Sequence, residues 1–148
     1  MLASTQSWFF WALLSACFAA LTAILAKVGI QGVDSDFATL IRAMFIVVVL
    51  AAFVCWAGKW SDPRALSGKT ITFLGLSALA TGASWVCYFR ALQIGDASKV
   101  APVDKFSLVL VAVFAFVFLG ERPSGRDWLG IGLVTAGVLL LALKRQLP

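Results

Sequence analysis

Residues 37–57 read FATLIRAMFIVVVLAAFVCWA, from Phe37 to Ala57 with a single charge, Arg42. A helix needs about 20 predominantly apolar residues to cross ~30 Å of hydrocarbon, so this stretch predicts a membrane span. Outward from it, the same pattern recurs at Trp8 to Val28, Ile71 to Leu92, Val100 to Leu119 and Trp128 to Leu143. The last of these is short, and Asp127 and Lys144 serve it as interfacial anchors, with Trp128 in the aromatic belt. The expected fold is an all-α integral membrane protein with five transmembrane helices. Turns rich in glycine and proline separate the spans at Gly29 to Asp36, Gly58 to Lys69, Gly95 to Lys99 and Gly120 to Asp127. None is long enough for a second domain, so residues 1–148 read as one transmembrane domain.

Composition agrees. Of the 148 residues 61% are hydrophobic and 13% charged, with a mean hydropathy of +0.97, whereas a soluble domain carries about a quarter charged residues. Such a surplus of apolar side chains calls for lipid. Histidine is absent, and Cys17, Cys55 and Cys87 stand singly in apolar runs, so neither a zinc site nor a disulfide is expected. The net charge of +5 comes from basic residues dispersed between apolar segments, which fits a membrane surface and not nucleic acid. Leu14, Ser15, Ala16 and Cys17 spell a lipoprotein-like box, but no Lys or Arg precedes the segment and the sequence beyond it stays apolar through Ala26. A membrane span with Trp8, Phe9, Phe10 and Trp11 at the interface is the better reading.

Five spans put the basic residues on two sides. One side holds Lys59, Arg64, Lys69, Arg122 and Arg126; the other holds Lys27, Arg42, Arg90, Lys99, Lys105, Lys144 and Arg145. When the partly embedded Lys27, Arg42, Arg90 and Lys105 are set aside, the bias changes sign. That is the pattern of a chain inserting both ways round, and equally of a single topology with a poorly marked sequence.

Helical spacing sorts the side chains into faces. Ala12, Ala16, Ala20, Ala23 and Lys27 share one small-residue face, which either points Lys27 into the bundle or lets it snorkel to the headgroups. In the third span, Gly75, Ala78 and Gly82 form a packing face, while Ser77, Thr81, Ser84 and Tyr88 form a hydroxyl-bearing face bordered by Trp85. The hydroxyl face either lines a solute path or satisfies its own helix carbonyls. In the fifth span, Gly130, Gly132 and Gly137 favour close helix packing or a dimer. Ionisable residues within a membrane are costly and commonly functional, which singles out Arg42, Arg90, Asp104 and Lys105, with Lys27. Asp104 is the one acid among them. It can neutralise Arg90, Arg42 or Lys105, or bind a proton or an amine, and the excess of cations favours an anionic or zwitterionic solute held by Arg42 and Arg90.

The stretch YFRALQIGDASKVAPVDKFSLVLVAVFAFVFLGERPS, from Tyr88 to Ser124, resembles an EamA-type member of the drug/metabolite transporter superfamily. The resemblance rests on Ala91, Leu92 and Gly95, on Ala97, Ser98, Val100, Ala101 and Pro102, and on Leu119, Gly120 and Glu121. In that pattern Gly95 allows a left-handed helix ending, Ser98 caps the next helix and Pro102 is tolerated near its start. One five-helix unit resembles the shorter bacterial and archaeal members, which implies a multi-pass protein of the cell (inner) membrane and two copies per transporter. With an odd helix number the second copy must insert upside down, giving an antiparallel homodimer with solute at the repeat interface. The first helix lacks the glutamate of the related small multidrug resistance proteins, which puts proton-coupled export of a hydrophobic cation in doubt. The expected function is a secondary transporter subunit for a small solute, with no enzymatic activity and no cofactor. A lipid-linked sugar flippase subunit and a non-transporting membrane protein acting through helix contacts are the alternatives.

Overall fold

The computed structural model describes the backbone of residues 2–143 and the side chains of residues 8–143. Lys144 and Arg145, expected beyond the fifth span, lie outside these. Among the described residues five helices are long and apolar enough to cross a membrane: Trp8–Gly29, Ser35–Trp56, Gly68–Ile94, Ala97–Leu119 and Gly125–Ala142. The protein is an all-α membrane protein, and it divides into two compact units at Ile94 and Gly95.

The first unit contains α1 (Leu2–Gly29), α2 (Ser35–Trp56) and α3 (Gly68–Ile94). Gly32, at φ 73°, turns the chain between α1 and α2. The Asp34 carboxylate then accepts hydrogen bonds from the backbone N–H groups of Asp36 and Phe37, both at 3.0 Å, and so caps α2. At its other end α2 closes in a Schellman arrangement around Gly58, at φ 64°, with Lys59 N–H on the Val54 carbonyl and Gly58 N–H on that of Cys55. Pro63–Ala65 forms one 3₁₀ turn capped by Asp62, and Ser67 caps α3 through Thr70 N–H. The buried residues gather where α1 ends, α2 begins and α3 ends: Ala23, Ile30, Ser35, Thr39, Phe89 and Leu92. Along α3 every residue from 68 to 84 is exposed in the single chain. Three helices therefore converge at one end only.

The second unit contains α4 (Ala97–Asp104), α5 (Ser107–Phe114), a π turn at Ala115–Leu119 and α6 (Gly125–Ala142). The fourth span, read as one helix, is thus broken. Pro102 lies inside α4 and has no N–H for the helix ladder, and tight i→i−3 bonds span the junction with α5: Lys105 to Pro102, Phe106 to Val103, Leu108 to Lys105 and Val109 to Phe106. Helix ends also differ from the family-based expectation. Gly120, at φ 68°, provides the left-handed ending after the π turn, whereas Gly95 has no positive φ. Asp96 takes the N-cap position of α4, and Ser98 falls inside the helix. Ser124 and Asp127 form a reciprocal capping box, so α6 starts at Gly125, three residues before the expected Trp128.

Candidate functional site

At the convergent end of the first unit, three polar contacts join elements that are remote in sequence. The Lys27 ammonium, on the last turn of α1, donates to the backbone carbonyl of Leu92. That carbonyl is among the last four of α3, which lack intrahelical donors, so a cation there also complements the helix dipole. The Gln93 amide donates to the Val33 carbonyl at 2.9 Å, tying the end of α3 to the α1–α2 turn. Arg90 forms a two-point ion pair with Asp36, with Nε donating to Oδ1 at 2.9 Å and Nη2 to Oδ2. The fork-to-carboxylate geometry fixes orientation as well as charge.

Arg42 behaves differently. Its guanidinium lies 4.6 Å from the Trp85 ring centroid and 5.0 Å from that of Phe89, within cation–π range of both. Tyr88 adds an edge contact with Phe89 at 6.1 Å. Among the described residues Arg42 has no carboxylate partner, and Asp36 is paired with Arg90. Beside it runs an open groove of about 470 Å³ between α1 and α2, with Thr22, Leu25 and Ala26 on one wall, Phe37, Ile41 and Phe45 on the other, and Phe89 behind. The pattern is one cation at an open apolar groove.

The remaining sequence candidates fall elsewhere. Ser77, Thr81 and Ser84 are exposed, and the Thr81 hydroxyl donates to the Ser77 carbonyl at 2.9 Å, which is the self-satisfying arrangement open to such residues. Space for a Cβ is open at Gly75, Gly82, Gly130, Gly132 and Gly137, so within one chain these positions face no close neighbour among the described residues. Asp104 and Lys105 face each other at 3.6 Å in the second unit, at the break in the fourth span. Of the cations that Asp104 could neutralise, its contact is Lys105, and the carboxylate of Arg90 is Asp36. The sequence alone places Asp36 in a turn and does not single out Asp36, Gln93 or Phe89. The run Asp34, Ser35, Asp36 before an apolar helix is a helix-start signal that marks Asp36 as a first-turn residue.

The family model described as the EamA-like transporter family matches residues 6–143. The chain belongs to the EamA-like transporter family. A chain of Sinorhizobium sp described as an "uncharacterized transporter in cobO 3'region" is 58% identical to this EamA-like protein over 139 residues, 94% of this chain and 99% of that one. A protein of Hamiltonella defensa named "Probable 4-amino-4-deoxy-L-arabinose-phosphoundecaprenol flippase subunit ArnE" is 27% identical over 104 residues, 66% of this chain and 94% of its own. The similarly named protein of Yersinia pestis is 31% identical over 84 residues, 56% of this chain and 74% of its own. No solved structure matches the chain. This EamA-like protein is a membrane transporter of the drug/metabolite transporter type.

Proposed function

We propose that this EamA-like chain is one half of a secondary transporter that moves a small anionic or zwitterionic solute, amino-acid-like in size, as an antiparallel homodimer in the bacterial or archaeal cell membrane. The observation that carries the reading is the one-ended closure of the first unit. Lys27, Arg90 and Gln93 tie the helices at one end, while the stretch of α3 bearing Ser77, Thr81 and Ser84 is left open. Thr81 satisfies its hydroxyl on its own helix, and the open run of small and hydroxyl-bearing side chains along this stretch suits close approach of a second helix or a water-filled path. An inverted second copy supplies both, because rocking two such units against each other closes one side and opens the other. Size supports it: the 58% identical relative is itself of one-unit length, since 139 residues make up 99% of it.

The relatives named as flippase subunits raise a second reading, a unit opening sideways to a lipid-linked sugar. Their lower identity favours it no further than the first. Uptake into liposomes reconstituted with the purified protein tests both. A panel of radiolabelled amino acids and organic acids should yield at least one whose flux exceeds that of empty liposomes and saturates. Absence of flux for every water-soluble solute, together with movement of a lipid-linked sugar between leaflets, overturns the proposal in favour of the flippase.

A further inference from the structure

We propose that the groove between α1 and α2 binds an amphipathic monocarboxylate, with the carboxylate on Arg42 and an apolar body along the groove. Arg42 lies seven residues beyond Ser35, about 10 Å along the helix axis, and so within the apolar run that begins at Phe37. A guanidinium within such a run is unfavourable without an anion. Asp36, the acid nearest in sequence on the same helix, is committed to Arg90 on both carboxylate oxygens. The Trp85 and Phe89 rings stabilise the cation without using its N–H donors. Two of those donors can therefore meet a carboxylate edge-on, while the rings hold the guanidinium plane.

The rest of the groove specifies the other half of the ligand. Leu25, Ile30, Phe37 and Ile41 present apolar surface, and Thr22 is the one hydroxyl. A space of about 470 Å³ falls in the range of small-molecule sites, which run from about 300 to 1,000 Å³. The ligand is thus a single acid with a compact hydrocarbon body, such as an aryl or branched alkyl group. A lipid phosphate shares the charge, but its two acyl chains exceed a groove of this size, which suits a compact body. The inference deepens the transporter reading by naming a cargo class. Its test is equilibrium binding, so failure of transport or of dimerisation is read separately.

The experiment is calorimetric titration of 4-phenylbutanoate into the full chain in nanodiscs of neutral phosphatidylcholine, beside the uncharged 4-phenylbutanamide. The carboxylate should bind, and the amide should bind roughly tenfold more weakly or worse, as should the carboxylate on Arg42→Gln, since a hydrogen-bonded charge is at stake. Arg42→Lys keeps the charge but not the fork and should fall between. Ala26→Phe fills the groove and should abolish binding; with the amide comparison, it decides the matter if Arg42→Gln does not fold. Equal binding of acid and amide, or full binding by Arg42→Gln, overturns the proposal. So does an absence of binding to wild type, and phosphatidylglycerol co-purifying with wild type but not with Arg42→Gln would then identify the anion as a lipid headgroup.

Discussion

Arg90 near the end of α3 and Asp36 in the first turn of α2, 54 positions apart in sequence, meet in a two-point ion pair that joins the two helices. Both groups keep contact with solvent in the single chain, so the pair orients more than it stabilises. Asp36→Asn and Arg90→Gln should each slow transport several-fold with little loss of folded protein. The exchange Asp36→Arg with Arg90→Asp should recover part of the rate. Initial uptake rates of the two single variants and the double variant check this, and an exchange no better than the worse single variant would sink the orienting role.

Lys27 holds the end of α3 by donating to the Leu92 carbonyl. Lys27→Met removes the donor and leaves a partly buried carbonyl, which should lower stability in detergent by about 1 kcal/mol. Lys27→Arg should lose less. Denaturant titration followed by circular dichroism measures the difference, and equal loss for the two variants would mean that the contact carries no weight.

An antiparallel homodimer requires both orientations of the same chain. Reporter fusions at the C-terminus, one active only in the cytoplasm and one only outside, should both give signal at native expression. A signal from one reporter alone would leave a parallel assembly or a different partner.

The hydroxyl and glycine stripes of α3 are both exposed in one chain, and assembly should separate them. In a background lacking Cys17, Cys55 and Cys87, cysteines at Ser77, Thr81 and Ser84 should react with a small water-soluble thiol reagent. Those at Ala78 and Gly82 should not. Equal labelling of both sets would argue against a solute path along this face.

Asp104 lies at the break in the fourth span, facing Lys105. Asp104→Asn keeps the size of the side chain and should reduce transport far more than it reduces folded protein in the membrane. Lys105→Gln should impair transport less if Lys105 only balances Asp104. Normal uptake by Asp104→Asn would make the pair structural.

The number of spans, their apolar character and the family were legible in the sequence, because membrane crossing depends on a run of about 20 apolar residues and both the signal and its cause are local. The stretch from Phe37 to Ala57 announces its helix without help from any other part of the chain, and the Tyr88 to Ser124 pattern names the family in the same local way. Arg42, Lys27 and Arg90 were visible as charges that a membrane helix must account for. Their partners were not. Asp36 pairs with Arg90 and the Leu92 carbonyl with Lys27 only because three helices converge at one end, and a contact across 54 or 65 positions leaves no periodicity to read. The fold likewise decided that Arg42 lies on two aromatic rings beside an apolar groove. A sequence shows which groups must be neutralised, but Coulomb and cation–π interactions act over a few ångströms, and tertiary packing alone sets which groups come that close.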